Sequence, residues 1–331
     1  MPTTDPEQPS SPSAAAREVE YAYGSAVRPR LGNRFVLGHG LGNDYLVFTA
    51  AENRNGWTAS PEAVRRVCDR HRGLGADGIV AVLSTEPAIR LRMFNPDGSE
   101  FERSGNGLRI VAAWLAGSGF AAQGRPFDAE VGGGSVGLRA APAESGQWDV
   151  EVEMGRAGLG PEVVAFDRGP VRRTGGSDPT VGARDAAIEL EEPTGGFLSV
   201  SPVSIGNPHM VVFGEKLSED VLARIGPWLA AHRRLAAGSN VQLARVVGAG
   251  VMRALIWERG VGRTAASGTS AVAVAVAAVA RGLQVPGEIR VEMPGGSLFV
   301  SVNEDLDARL RGPVEMVAEG RLDRGFLTRL G

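Results

Sequence analysis

Short apolar segments, separated by turns rich in glycine and proline, follow one another from about residue 33 to the end of the chain. Four of the first segments have the length and the β-branched or aromatic content typical of strands, namely residues 35–37, 46–48, 78–83 and 89–94. Residues 61–72 predict a short helix, and the apolar run 108–116 predicts a buried one. The pattern indicates a mixed α and β protein.

The first 31 residues differ in composition, being rich in proline, serine, threonine and alanine and poor in aliphatic side chains. Such a segment cannot bury enough apolar surface to offset the conformational entropy lost on folding. We therefore expect a disordered tail over residues 1–31 and a fold that begins near Asn33.

Composition and charge narrow the classes of partner. With 331 residues, 43% of them hydrophobic, the chain can bury a sizeable core and is expected to divide into two domains. Its 35 basic and 38 acidic residues give a net charge of -3 without a dense basic block, so nucleic acid is not an expected partner. No apolar run reaches the roughly 20 residues of a membrane span, and the N-terminal residues lack the pattern of a secretory signal. We expect a cytoplasmic protein that does not bind membranes.

Neither a metal nor a cofactor is expected. The single Cys68 cannot form an internal disulfide, and the four histidines are scattered without the paired spacing of a zinc site. Residues 73–78 spell G-x-G-x-x-G, but a predicted helix precedes them and a predicted strand follows. Dinucleotide binding needs the opposite order, so these glycines indicate a helix-to-strand turn.

Three short segments recur at a separation of 163 or 164 residues. The sequence GNDYLV at 42–47 returns as GNPHMV at 206–211, GAD at 75–77 returns as GSN at 238–240, and SGNG at 104–107 returns as SGTS at 267–270. Each Ser-Gly segment is followed by an apolar helix, 108–116 or 271–280. Several matches in order at one offset indicate a duplicated domain, and two such halves would face each other across a ligand-binding cleft.

The two Ser-Gly segments are candidate anion sites, because the N-terminus of a helix presents free N–H groups and the positive end of its dipole. The residues concerned are Ser104, Gly105 and Asn106 in the first half and Ser267, Gly268 and Thr269 in the second. The alternative interpretation is that the serines only cap their helices.

A second group of polar residues lies beside predicted strands. As a set they could grip the charged groups of an amino acid: Asn43, Asn95, Asn207, Asn240 and Arg259. Each asparagine could instead be a turn residue, Glu258 and Arg259 a surface ion pair, and His209 a core histidine. The residues alone leave these alternatives open.

Five stretches, block after block, resemble diaminopimelate epimerase: HGLGND at 39–44, DRHRGLGADG at 69–78, FNPDGS at 94–99, GNPH at 206–209 and ERGVG at 258–262. The resemblance covers nearly everything from about residue 33 onward. It implies an α/β (α+β) fold of two pseudo-symmetric domains, each a sheet wrapped around a central helix, with the active site in the cleft between them. Residues 32–150 with 313–331 would form the N-terminal domain, and residues 151–312 the C-terminal one.

In that family two cysteines move an α-proton from opposite faces of the substrate without a cofactor. The resemblance further implies that the four asparagines and Arg259 bind the distal amino-acid group. It places His209 and Glu258 beside the reacting centre, and the carboxylate next to the reacting carbon at both helix N-termini.

Both cysteine positions hold serine in this chain, Ser104 and Ser267, and Cys68 lies in a different block. An alcohol is a far poorer base than a thiolate, so ordinary thiol epimerisation is in doubt. Three explanations remain: a natural relative reassigned to a more acidic substrate, an engineered exchange of cysteine for serine, and a catalytically dead binder.

We favour reassignment, because both positions changed together while the ligand-gripping residues stayed. Glu258 is then the expected base, His209 the partner acid, and both serines hydrogen-bond donors. The hypothesis is a cofactor-independent double-bond isomerase or tautomerase in an antibiotic-type pathway. The alternatives are a serine-containing diaminopimelate epimerase and an amino-acid-binding protein. The expected partner is an amino-acid-like small molecule, and a homodimer is left open.

Overall fold

The computed structural model describes residues 27–51, 56–167, 187–192, 195–215 and 217–330. Most of the predicted tail, residues 1–26, lies outside this part of the chain. The first strand, β1, begins at Arg30, and Leu31 is fully buried within it. The fold therefore starts three residues before the predicted Asn33, because Leu31 already pairs with strands on both sides.

The N-terminal half is a ring of strands. Its members in chain order are β1 (Arg30–Gly40), β2 (Asn43–Ala50), β3 (Trp57–Thr58), β4 (Ile79–Ser84), β5 (Ile89–Phe94), β6 (Glu100–Phe101), β7 (Pro126–Val131), β8 (Gly134–Pro142) and β9 (Trp148–Arg156). Pairing runs from β1 through β2, β4, β5, β7, β8 and β9 to the last described strand, β19 (Asp307–Arg321), which pairs back with β1.

The C-terminal half repeats this order of pairing from β12 (Phe197–Ser204) to β19, although no pair among the described strands closes it into a ring. Its strands are β10 (Gly158–Leu159), β11 (Ile188–Glu191), β12 (Phe197–Ser204), β13 (Pro208–Phe213), β14 (Asn240–Gly248), β15 (Val251–Glu258), β16 (Gly262–Thr264), β17 (Gly287–Met293), β18 (Gly296–Val302) and β19 (Asp307–Arg321). The parallel pairs β2·β4 and β5·β7 have parallel counterparts in β13·β14 and β15·β17.

One long helix lies inside each half, surrounded by the strands of that half. Helix α2 (Gly105–Gly117) contacts β1, β2, β4, β8, β9 and β19, while α4 (Gly268–Ala280) contacts β12 to β15 and β17 to β19. Both helices are apolar on nearly every face, as burial on all sides requires. The predicted fold class, two similar halves that each wrap a sheet around a central helix, is confirmed.

The remaining helices cover the outside of the two halves. They are α1 (Pro61–Cys68), α3 (Glu219–Ala230) and the short α5 (Arg324–Thr328), with 3-10 turns at Glu144–Gly146 and Pro161–Val164. Helix α1 ends four residues earlier than predicted, because Asp69 has an extended backbone and its carboxylate accepts the N–H groups of His71 and Arg72. Within the described ranges no helix is long and apolar enough to cross a membrane.

Strands β9 and β19 join the two halves. They pair with each other from Trp148 to Arg156, and β19 also pairs with β18 near its beginning and with β1 near its end. Both predicted domain boundaries, at residues 150 and 312, fall inside these two strands. The division into domains stays a prediction, and the shared strands are where it would have to be drawn.

Candidate active site

A cavity of about 860 Å³ opens between the two halves. Every residue predicted for the site except His209 lines it: Asn43, Asn95, Ser104, Gly105, Asn106, Asn207, Asn240, Glu258, Arg259, Ser267, Gly268 and Thr269. Residues that are up to 226 positions apart in the chain, Asn43 and Thr269, thus meet in one place. The repeated segments converge as the duplication predicted.

The N-termini of the two central helices meet at this cavity across one leucine of β19. A Cβ atom on Gly105 would lie 2.9 Å from Leu310 Cδ2, and one on Gly268 would lie 2.8 Å from the same methyl group. A Cβ on Gly268 would also lie 3.8 Å from the backbone nitrogen of Asn106. A larger residue at either position would force Leu310 to shift, so glycine suits both positions.

The two serines have different surroundings despite their equivalent positions. The Ser104 hydroxyl caps α2 by accepting the N–H of Gly107 at 3.1 Å. Ser267 makes no such capping bond to α4, and its hydroxyl lies beside the Glu258 carboxyl, where it opposes the rise of that group's pKa. The capping interpretation therefore fits Ser104, whereas the Ser267 hydroxyl is available to the site.

This difference predicts opposite effects for two matched substitutions. Ser104→Ala removes an N-cap and should lower the free energy of unfolding by about 0.5–2 kcal/mol, whereas Ser267→Ala should leave it nearly unchanged. Ser267→Ala should instead raise the pKa of Glu258, because the hydroxyl that stabilises the carboxylate is lost. The acid limb of any Glu258-dependent pH–rate profile should then move to higher pH. Denaturant unfolding and pH–rate profiles of both variants test this difference. A loss of unfolding free energy in Ser267→Ala as large as that in Ser104→Ala would contradict it.

Glu258 is the cavity carboxyl best suited to act as a base. It ends β15 and is half-buried, and burial raises its pKa, opposed by Ser267 and assisted by the charge of Asp77. Among the described residues it forms no ion pair, so the alternative interpretation of a surface pair with Arg259 is not observed. A raised pKa without a cationic partner is the usual condition of a carboxylate general base.

His209 does not reach the cavity, and its predicted role as the partner acid needs correction. The side chain is fully buried behind the site, with Nε2 2.8 Å from Asn207 Oδ1 and Nδ1 3.0 Å from Gln242 Nε2. Burial lowers the pKa of His209 to about 3, so the imidazole is neutral at ordinary pH. Because it contacts Asn207, which does line the cavity, His209 is placed to orient that amide and not to protonate a substrate.

Tyr45 is a cavity residue that sequence reasoning missed. It lines the site with its phenol near Ser104, and burial raises its pKa and keeps the group protonated. The repeat carried the signal, because GNDYLV and GNPHMV align Tyr45 with His209. The second half thus buries an imidazole where the first half presents a phenol.

A hydrogen-bonded chain fixes the amides of the first half. Arg70 bonds Asp77 at 2.7 Å, Asp77 accepts the Asn43 amide at 2.9 Å, and Asn106 donates to Asn43 Oδ1 at 2.8 Å. These contacts join residues that are 7 to 63 positions apart in the chain, so no local sequence pattern predicted them. Asn43 is therefore held by the protein itself as well as exposed to a ligand.

The other predicted binding residues are partly engaged in turns. Asn240 accepts the Arg259 N–H at 3.0 Å and donates to Pro208 O at 3.2 Å, while Asn95 donates to Ser99 Oγ at 3.0 Å. The Arg259 guanidinium is exposed and bonds the carbonyl of Ala237. Both the turn role and the lining position hold at once for these asparagines.

The charges of the cavity wall are balanced. Its acidic members are Asp77, Glu100, Glu102 and Glu258, and its basic members are Arg103, Arg109, Arg156 and Arg259. Equal numbers of each sign suit a ligand that carries both a carboxylate and an ammonium group. Within the described ranges, no group of three or more histidine, cysteine or acidic side chains is arranged to hold a metal.

Cys68 is not a substitute nucleophile. It is buried at the end of α1 in an outer apolar cluster, away from the cavity, and burial raises the pKa of its thiol to about 12. A thiol with that pKa stays protonated and unreactive at neutral pH.

The fold is shared with several solved structures. A predicted epimerase from Pseudomonas aeruginosa superposes with a TM-score of 0.61 at 21% identity, covering 88% of this chain and 99% of that one. A hydroxyproline epimerase from Agrobacterium vitis gives 0.60 at 14% identity, covering 91% and 96%, and a methylitaconate-delta-isomerase gives 0.56 at 13%, covering 90% and 97%. At these identities the similarity shows the fold alone.

The sequence relatives are closer. A family model described as diaminopimelate epimerase matches residues 35–159 and 202–317. Diaminopimelate epimerase 2 of Nostoc sp. is 34% identical over 294 residues, covering 87% of this chain and 95% of that protein. Diaminopimelate epimerase of Desulforudis audaxviator is 36% identical over 294 residues, covering 87% and 98%. The chain belongs to the diaminopimelate epimerase family and is an isomerase.

Proposed function

We propose that the protein moves a proton within an amino-acid-derived substrate without a cofactor, and that Glu258 is the base. The observation that carries this proposal is the state of the Glu258 carboxyl. It lines the cavity, its pKa is raised by burial, and no described cation pairs with it. The remaining cavity carboxyls are less suitable, since Asp77 is bonded to Arg70, Glu100 is bonded to the buried Arg92, and Glu102 is exposed to solvent.

The proposed reaction shifts a double bond. The Glu258 carboxylate removes a proton from a carbon next to a C=C, C=N or C=O group, and the released electron pair moves into that π system. The resulting carboxylic acid then returns the proton at the far end of the π system, so the base is regenerated and atoms balance. One group on one face is enough for this transfer, whereas epimerisation needs an acid on the opposite face.

The serines would act as donors in this scheme. Ser267 would hold the Glu258 carboxylate in position, and Ser104, whose oxygen already accepts the N–H of Gly107, would donate its proton to the ligand or to Tyr45. Neither hydroxyl titrates near neutral pH, which is why the basic role falls to the carboxylate. The neutral His209 would support Asn207 from behind.

We infer a specialised, antibiotic-type pathway, because the two positions that perform thiol chemistry in the family have changed while the ligand-gripping residues remain. The balanced charges of the cavity wall support an amino-acid-derived ligand. The fold it shares with a protein named methylitaconate-delta-isomerase is compatible with migration of a double bond.

A second candidate is epimerisation of diaminopimelate itself, favoured by the names of relatives that are 34% and 36% identical. The position of Tyr45 near Ser104 supports it, since a protonated phenol beside the first serine could supply the second acid that epimerisation needs. A third possibility, an amino-acid-binding protein, requires binding without proton transfer.

Proton NMR in deuterated water separates the three. The purified protein would be incubated with a panel of β,γ-unsaturated amino acids and with diaminopimelate. A double-bond isomerase yields the conjugated isomer, labelled at the distal carbon. An epimerase labels the α-carbon and inverts it. Saturable binding with no deuterium uptake on any of these compounds would contradict both proposals and support the binding protein.

Restoring both cysteines provides a further prediction. In the Ser104→Cys, Ser267→Cys variant the Glu258 carboxyl lies beside position 267 and can take the thiol proton. If the cavity holds diaminopimelate, exchange of its α-proton should then exceed that of the original chain, as measured by deuterium uptake. Each single replacement is the matched control, because exchange on both faces needs both thiols. Equal exchange in the single and double variants would contradict the proposal that the ancestral geometry persists.

A further inference from the structure

Two arginines of the first half are almost completely buried, each with 1% of its surface exposed. Arg92 has a carboxylate partner, since its guanidinium bonds both oxygens of Glu100 at 2.7 and 2.5 Å. Arg109 has none among the described residues. Its guanidinium donates to the carbonyl of Pro313 at 2.9 Å and to Asn106 Oδ1 at 2.7 Å, and its Nε–H has no partner.

A buried guanidinium without a counter-ion is costly, and a protein normally pairs such a charge or excludes it. Here the fold makes room for it. A Cβ on Gly40 would lie 2.7 Å from Arg109 Nη2, and one on Gly312 would lie 2.8 Å from Nη1. The paired strands β1 and β19 thus have glycine at the two positions that border the guanidinium. Burial alone lowers the pKa of Arg109, to about 10, so the group stays charged at neutral pH.

The charge lies directly beneath the candidate anion site. Arg109 lines the cavity, and its side chain reaches back one turn along α2 to Asn106, as helical side chains do. A guanidinium can only donate, so Asn106 Oδ1 must be the acceptor, and its amide nitrogen must point to Asn43. The N–H groups of Gly105 and Asn106 precede the first hydrogen bond within the helix, Leu108 N–H to Ser104 O, and remain available to a ligand.

The second half has no equivalent charge. The repeat that aligns Ser104 with Ser267 aligns Arg109 with Val272, which is fully buried in α4. The helix dipoles of α2 and α4 are similar, but only α2 has a cation under its first turn. A carboxylate bound between the two helices would therefore be drawn to the α2 side.

We propose that Arg109 is the residue that makes the cavity select a carboxylate, which binds at the N-terminus of α2 and serves as the counter-ion that the protein itself lacks. This inference rests on the proposed amino-acid-derived ligand and on the carboxylate position at the helix N-termini that the family resemblance implies, and it adds Arg109 as the residue that selects for the charge. It also assigns Asn106 the role of fixing the position of the guanidinium relative to the first turn of α2.

Acetate and acetamide, which have the same shape and differ in charge, are the probes. Thermal unfolding of the whole protein would be followed while each is titrated at constant ionic strength. Acetate should raise Tm in a saturable manner and acetamide should not. Arg109→Gln should lose the acetate effect and Arg109→Lys should keep it. Arg92→Gln is the matched control: it removes an equally buried arginine, should lower Tm, and should keep the acetate effect.

An acetate effect that is absent from the wild type, or undiminished in Arg109→Gln, would overturn the proposal. Should Arg109→Gln not fold, the Arg109 Nε–H resonance of the wild type, identified by its loss in Arg109→Lys, provides the test: it should shift with acetate and not with acetamide. Acetate binding through Arg109 without proton transfer on any substrate would refute the proposed chemistry and leave this site standing. Proton transfer on a substrate without any effect of acetate on Tm would refute this carboxylate site and leave the proposed chemistry standing.

Discussion

Glu258→Gln is expected to lower the rate of proton exchange into the substrate by about 10²–10⁴-fold, the usual loss when a general base is removed. The amide keeps the shape of the carboxyl and its oxygen can accept a hydrogen bond, but it has no basic oxygen. Substrate affinity should change much less than turnover. Deuterium uptake measured by NMR under saturating substrate reports the rate, and a titration by calorimetry reports the affinity.

The matched control is Glu102→Gln, which makes the same change of charge on the exposed part of the cavity wall. That variant should retain most of the exchange rate, because Glu102 lies outside the proposed proton path. Ser104→Ala and Ser267→Ala should each cost less than Glu258→Gln, since each removes a donor worth about 1–3 kcal/mol. A Ser267→Ala variant that is inactive beside a fully active Glu258→Gln variant would assign the proton to the serine and refute the carboxylate mechanism.

The expected pH dependence follows from the same carboxyl. Glu258 must be ionised to accept a proton, and its pKa is raised by burial. Activity should therefore rise with pH through that raised pKa, at a higher pH than for an exposed glutamate. His209 should contribute no limb near neutral pH, because burial lowers its pKa to about 3.

The repeat is what made the fold and most of the cavity predictable. Segments that recur at a constant offset occupy equivalent positions in the two halves. Where two halves face each other across a cleft, equivalent positions that border the cleft lie opposite one another. The positions of Ser104 and Ser267 followed from this, as did those of Asn43 and Asn207. The strand pairings of the two halves match in the same way.

The repeat could not reveal which way a side chain points or what it touches. The repeat aligns His209 with Tyr45. The phenol of Tyr45 nevertheless lines the cavity, whereas the imidazole of His209 is buried behind the cavity wall. Nor could it separate a serine that caps its helix from one that does not. Arg109 could have been identified from the sequence, because it is a lone arginine in an otherwise apolar run. A charge in such a position needs either a partner or a ligand.

Leu310→Ala is expected to have the largest effect on stability. Leu310 is fully buried on β19, between the N-termini of both central helices, so truncation leaves a void that neither helix can fill alone. The loss should be about 2–5 kcal/mol in the free energy of unfolding, as for other buried leucines. Proton exchange should fall as well, because Ser104 and Ser267 begin the two helices that Leu310 separates. Leu222→Ala, a buried leucine of α3 on the outer face, is the control, with a similar loss of stability and no change in exchange.

A second substitution decides whether the void is the cause. In the original chain Gly105→Ala should be destabilising, since its Cβ would lie 2.9 Å from Leu310 Cδ2. In the Leu310→Ala background the same methyl group would enter empty space, so Gly105→Ala should restore part of the lost stability. The sign of the effect should therefore reverse between the two backgrounds, as measured by urea unfolding of all four proteins. If Gly105→Ala costs the same in both, Leu310 does not separate the helices by contact, and the close approach at the cavity must depend on the backbone of β19 alone.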